Sequence, residues 1–250
     1  MPDPSSTHPA PARAFIGTAG WSIPAAVADR FPAEGSQLQR YAAVMNGVEI
    51  NSSFHRSHRP QTYERWAAST PAHFRFAVKC PKQISHEARL DGVQEALARF
   101  VGEAGALGRK WTVLLVQLPP SLACDARVAG RFFEQARAAY GGAIVCEPRH
   151  ASWFTPEAVR MLRDHGIARA GVDPAKWPGA DEPVVHRRLA YCRWHGSPRL
   201  YWSPYEEDWL RARLASLQAR PKSAACWCIF DNTASGAALH NALELQAMLA

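Results

Sequence analysis

Seven times along the chain a short apolar run stops on polar or charged residues: VEIN at 48–51, FRFAVK at 74–79, VLLVQ at 113–117, IVCEPR at 144–149, AGVD at 170–173, YCRWHG at 191–196 and CIFDN at 228–232. Each has the length of a strand buried on both faces, and AFIGT at 14–18 supplies an eighth. Helical spacing recurs between them, at 36–45, 60–68, 92–104, 126–140, 155–166, 204–218 and 236–249. Pro60 suits a first helical turn, and Thr155 and Gly166 suit a helix start and stop. Strand and helix alternate at roughly 30-residue spacing, the mark of repeated βα units and a parallel sheet. The pattern predicts an α/β fold, a TIM (β/α)8 barrel in one domain over 14–250. CPKQISHEARL at 80–90 reads as a polar loop. The stretch 174–183 carries three prolines and no helical period, so the sixth helix is expected to be missing or vestigial.

In such a barrel the polar tips of the strands gather at the C-terminal mouth, where binding and chemistry sit. Side chains alternate between interior and helix layer, so Glu49 with Asn51, Glu147 with Arg149, and Arg193 with His195 each point the same way.

Composition narrows the partners. The net charge is +7, and 24 of the 29 basic residues are arginine, which favours planar contacts with carboxylate or phosphate over diffuse ammonium charge. No block of consecutive basic residues marks a nucleic-acid arm, and an arginine-rich solvated surface explains the excess equally well. The cysteines at 80, 124, 146, 192, 226 and 228 sit mostly in apolar runs, where a thiol packs as a small hydrophobe; Cys226 and Cys228 are too close for a CxxC site. Residues 1–13, rich in Pro, Ser and Ala, read as a disordered tail without the features of a leader, and no apolar stretch reaches membrane-spanning length. A cytoplasmic protein with no membrane partner is expected.

GTAGW at 17–21, VEINSSFHR at 48–56, FRFAVKCPKQISHEARL at 74–90, VQLPPS at 116–121, EPRHASWF at 147–154, the HG at 195–196 and FDNTASGAALHNAL at 230–243 resemble the YecE-like family, domain of unknown function 72. The resemblance spans about 15–249 and implies a TIM barrel but no established activity. The chain departs from the family pattern at Ile23, where an aromatic is common, and at Pro148, between Glu147 and Arg149.

The residues suggest roles of their own. Glu147 and His195 are candidates for moving protons, with Glu49 and Asp231 orienting or positioning. Lys79 and Arg149 would hold an anion, Lys79 pairing with Glu49. Asn51, Gln117, Arg193, Asn232, His86, Trp21 and Tyr201 complete a substrate-facing set, and Trp153, Trp202 and Tyr205 are further loop aromatics able to stack a ring. Ser52, Ser53, His55 and Arg56 suit a polyhydroxylated or phosphorylated ligand. The loops at 195–197 and 231–236 occupy the position of a phosphate cradle. Each feature has a plainer alternative: an interior salt bridge, a loop anchor, a helix cap. HxH and HExxH spacings are absent, and Lys79 and Arg149 would repel a divalent ion, so no metal and no cofactor are expected.

Three readings stay open. The first is an enzyme using acid/base chemistry, of hydrolase or lyase/isomerase type, on a small anionic substrate containing phosphate or sugar. The second is a metal-assisted phosphodiesterase or nuclease. The third is a non-catalytic nucleic-acid or nucleotide binder. The sequence does not fix the oligomeric state.

Overall fold

The structure is a computed structural model that describes residues 13–184, 186, 188–221 and 223–249. Most of the stretch read as a tail lies outside the described residues; Arg13 already belongs to the first strand.

Strands and helices follow in the expected order: β1 (Arg13–Thr18), α1 (Gln37–Ala42), β2 (Gly47–Ile50), α2 (Pro60–Ala68), β3 (Arg75–Lys79), α3 (Gln94–Ala104), β4 (Trp111–Gln117), α4 (Ala126–Ala139), β5 (Ala143–Glu147) and α5 (Pro156–Asp164). Then come β6 (Ala168–Arg169), β7 (Gly171–Asp173), β8 (Leu189–Trp194), α6 (Glu207–Gln218), β9 (Ala225–Phe230) and α7 (Ala237–Leu249). Caps set several helix starts. Ser36 and Gln39 form a capping box on α1, Asp125 accepts the Arg127 and Val128 N–H groups, and Thr155 accepts that of Ala158 with Pro156 leading α5. The segment 80–90 is more ordered than the loop expected there, because Gln83–Glu87 forms a turn of π-helix.

Every strand pairing is parallel, but the ladder is not one closed ring. Five strands run β2-β3-β4-β5-β6 and four run β1-β9-β8-β7. The strand expected at AGVD begins earlier, at Ala168, and divides at Ala170: its first half pairs with β5 and its second with β8, so this one segment serves both sheets. On the other side β1 and β2 share only an isolated bridge, Ala19 to Glu49. There the backbones approach so closely that a Cβ on Gly17 would lie 2.1 Å from the Gly47 carbonyl oxygen. Side chains stitch the seam instead. Asn46 Oδ1 accepts the Ile16 N–H at 2.9 Å and Asn46 Nδ2 donates to the Ala14 carbonyl at 2.8 Å. The Tyr41 hydroxyl accepts the Thr18 N–H at 3.0 Å and donates to the Gly47 carbonyl at 3.1 Å.

The two-residue strand period sorts the core into two shells. Ile16, Val48, Phe76, Leu114, Ile144 and Phe230 pack outward against the helices. Phe15, Ala77, Leu115, Val145, Tyr191 and Ile229 fill the space the strands enclose. Cys226 and Cys228 are buried free thiols in the outer shell, as expected from the sequence. Continued by one period, the inward register passes from apolar residues to Glu49, Lys79, Gln117, Glu147, Arg193 and Asp231. The site is therefore the top layer of the interior, made polar.

The stretch 174–183 carries no helix among the described residues, as its prolines dictate. It folds back on β6 and β7: Val172 N–H donates to the Ala180 carbonyl at 2.7 Å, and Arg169 Nη2 donates to the carbonyls of Gly179 at 2.7 Å and Glu182 at 3.1 Å. Among the described residues no helix is long and apolar enough to cross a membrane.

Candidate functional site

Arg193, at the end of β8, is wholly buried and organises the strand tips. A guanidinium has five N–H donors in a fixed plane, and here each has an acceptor. Nε and Nη2 donate to the two oxygens of Glu49 at 2.9 and 2.8 Å; Nη1 donates to Glu147 Oε2 at 2.6 Å and Gln117 Oε1 at 3.3 Å; Nη2 also donates to Asp231 Oδ2 at 2.8 Å. Tyr191, two residues down the same strand face, donates its hydroxyl to Glu49 Oε2 at 2.8 Å. Burial alone would push Glu147 up, but Arg149 and Arg193 beside it hold its carboxyl well below the ordinary range. Asp231 follows the same rule: burial raises it, and Arg193 and then His195 bring it below its usual value. Burial works against the charge on Arg193 too, and Glu147, Glu49 and Asp231 hold it on.

A second tier lies above this cluster. Arg149 Nε donates to Glu147 Oε1 at 2.6 Å, Nη1 donates to the Tyr201 hydroxyl at 3.3 Å, and Nη2 meets His195 Nε2 at 3.1 Å. Arginine can only donate, so His195 Nε2 is the acceptor and Nδ1 carries the proton shared with Asp231 Oδ2 at 3.1 Å. The Tyr201 ring packs edge-on to His195 at 5.4 Å between centroids.

Lys79 differs from its neighbours. The expected pair with Glu49 is not formed, because Arg193 and Tyr191 already occupy that carboxylate. Instead Lys79 Nζ lies over the Phe54 ring at 4.3 Å, with no ion pair to any described residue. Burial lowers its pKa first and Arg193 second, against the pull of Glu49, Glu147 and Asp231. His86 packs edge-on to Phe54, 4.9 Å between rings; burial, then Lys79 and Arg149, lowers its pKa.

Several residues expected at the mouth do other work. Trp21 packs against Trp66 at 4.9 Å, and Trp153 is buried with its indole N–H on the Leu122 carbonyl at 2.9 Å. Tyr205 is buried, stacked on Trp209, with its hydroxyl on Asp173 Oδ1 at 2.8 Å. Asn232 is buried and braces the Ser203 carbonyl and Asn241. Trp202 is exposed under Arg199. Asn51 is half-buried at the start of a short 3-10 turn, with no side-chain cap. Ser53 ties down the Ile50 and Lys79 carbonyls, Ser52 pairs with His58, and His55 and Arg56 are exposed, so the two serines of this loop are engaged within the protein. In the loops read as a phosphate cradle, the Gly196 N–H is taken by the Tyr205 hydroxyl and the Gly236 N–H by the Thr233 carbonyl, so neither glycine offers its N–H to an anion.

Beside the Arg149 and His195 tier opens a cavity of about 460 Å³ between the loops that follow β4, β5, β7 and β8. Arg149, Lys176 and His195 are its charged or titratable lining, and Pro148, Phe154, Val172, Trp177 and Leu200 supply much of its wall. The sequence reading missed Lys176, Trp177 and Leu200. An indole beside an ammonium, just past the tip of a strand in a stretch with no helical period, was the available signal. Among the described residues no group of three or more His, Cys, Asp or Glu side chains is arranged to hold a metal ion.

Residues 15–250 match the family model described as protein of unknown function DUF72. Over 163 residues, 64% of this chain and 57% of the relative, it is 28% identical to the UPF0759 protein YecE of Escherichia coli strain K12, so the chain spans little more than half of that protein. The UPF0759 protein YunF of Bacillus subtilis strain 168 is 23% identical, with 94% of each chain covered. The crystal structure of a DUF72 family protein, TM1631 of Thermotoga maritima, superposes with a TM-score of 0.75 at 26% identity, covering 95% of this chain and 99% of that one.

Proposed function

The chain belongs to the DUF72 family of proteins of unknown function, and on that premise we propose that its strand-end mouth is the site of an enzyme using acid/base chemistry on a small anionic substrate. In this reading the two parallel sheets act together as a (β/α)8 barrel, and the chemistry sits at its C-terminal face. The observation that carries the proposal is the cavity bordered by Arg149 and His195, whose lining includes cations and no carboxylate.

The two tiers divide the work. Arg193 donates to Glu49, Glu147 and Asp231 and fixes their positions, so the lower tier is scaffold. Glu147, kept ionised by two guanidinium groups, is a poor proton carrier and serves as the anchor of Arg149. His195 is the proton-moving group and Asp231 holds its orientation. Arg149 covers the Nε2 lone pair. An anion that draws the guanidinium toward itself uncovers that lone pair beside the bound molecule, so binding and base activation are one event. A positioned histidine base contributes about 10²–10⁴-fold in rate. The metal-assisted alternative is not favoured by the donor chemistry, since the three inward carboxylates are already engaged by a guanidinium.

The reading is tested by thermal unfolding of the purified protein against inorganic phosphate, sugar phosphates and small carboxylates. At least one anion is expected to raise Tm, and Arg149→Met is expected to remove the shift. A screen in which no anion stabilises the protein, or in which Arg149→Met keeps the full shift, defeats the proposal. With a substrate in hand, His195→Gln is expected to lower kcat by at least about 10²-fold.

A further inference from the structure

The walls of the cavity say more about its occupant than its charge does. Phe154, Trp177, Val172 and Leu200 present carbon, and Pro120, Pro148 and Pro174 have neither a polar side chain nor a backbone N–H. A sugar would have to turn several hydroxyls toward these surfaces and lose their hydrogen bonds to water without replacement. A hydrocarbon body would gain by the same contact. Polar function gathers at particular points: Arg149 and His195 at the strand tips and Lys176 beside Trp177, with its ammonium 5.4 Å from the ring centroid. Trp177 Nε1, buried in that region, is a further donor without a partner among the described residues. Side-chain donors border an apolar space whose volume suits a small molecule.

We infer that the cavity takes an apolar-bodied carboxylate, an aromatic acid such as an arylacetate, with its carboxylate on Arg149 and its ring between Phe154 and Trp177. This rests on the anion-binding reading above and narrows its substrate class away from sugar phosphates. Arg169 backs the far wall, its guanidinium 4.6 Å from the Phe154 ring and held by the Gly179 and Glu182 carbonyls, so Phe154 is braced as a platform. A planar guanidinium pairs with a carboxylate through two parallel N–H bonds, which fixes the orientation of the acid and turns its apolar end to the wall.

Isothermal titration with phenylacetate, acetate, glucose 6-phosphate and inorganic phosphate decides it. Phenylacetate is expected to bind at least about tenfold more tightly than acetate and more tightly than glucose 6-phosphate. Arg149→Met is expected to abolish its binding. Leu200, exposed at the rim, allows a charge test with little risk to folding: Leu200→Glu is expected to weaken phenylacetate about tenfold through like-charge repulsion, whereas Leu200→Lys does not weaken it. Tighter binding of glucose 6-phosphate than of phenylacetate overturns this inference and leaves the anion site standing. Phenylacetate bound equally by the wild type and Arg149→Met overturns it as well, and no binding by any of the four removes both readings.

Discussion

The Arg193 cluster and the cavity beside it lie on the same strand tips, yet they treat charge in opposite ways. In the cluster every guanidinium donor of Arg193 meets an acceptor. In the cavity, cations stand against carbon with no carboxylate among the lining residues. Buried charges that answer one another make a rigid floor, whereas cations at the edge of an apolar space make a receptor. Arg149 belongs to both, with Nε and Nη2 against Glu147 and Nη1 on the Tyr201 hydroxyl.

The sharpest way to break this contrast is Arg193→Met. It leaves three buried carboxylates without their shared cation, and a loss of about 3–5 kcal/mol is expected in urea unfolding. A loss below about 1 kcal/mol would mean that the cluster is not the floor described here. Acid probes the same charges. Glu147 and Asp231 are held below their ordinary values of 4.5 and 3.8, so in acid the unfolded chain binds more protons than the folded one. Their contribution is complete at neutral pH and is lost as pH falls below about 4.5 through the lower folded values. Urea midpoints measured from pH 7 downward are expected to show this decline, and a flat profile to pH 3 would contradict it.

Arg149→Met sharpens the comparison from the other tier. Glu147 keeps Arg193, so about 1–2 kcal/mol of stability is expected to go, less than for Arg193. Equal losses from the two substitutions would erase the distinction between floor and receptor. Lys79→Met reverses the sign. The amine has no ion pair among the described residues, and burial disfavours its charge, so about 1 kcal/mol is gained rather than lost. Least affected is Trp202→Ser, on an exposed ring under Arg199, where a change within about 0.5 kcal/mol is expected by the same unfolding measurement.

Much of this was legible in the residues. Period-two alternation placed Glu49, Glu147 and Arg193 on the inward face, and the spacing of two residues paired Glu147 with Arg149. Proline content correctly denied the sixth helix. The partner of Lys79 was not legible, because parity tells which way a side chain points and not which of several carboxylates an arginine from another strand has already claimed. Trp21 and Trp153 had the loop positions of ring-stacking residues, and only their packing on Trp66 and on the Leu122 carbonyl removed them from the mouth. Lys176 and Trp177 were hidden for the converse reason. An aperiodic, proline-broken stretch offers no register from which to project a direction, and its path is set by Arg169 reaching the carbonyls of Gly179 and Glu182.

The chain by itself determined the βα alternation, the two shells of the core and the polar layer at the strand tips, since these follow from local periodicity and the steric limits of the backbone. Only the tertiary structure decided that the strands divide into two sheets with a seam at Gly17 and Gly47, and that one arginine satisfies three carboxylates. It also decided that the open space lies to one side of them. Those outcomes depend on distances between residues far apart in sequence, where the close approach of two glycines or the reach of one guanidinium settles an arrangement that no local pattern encodes.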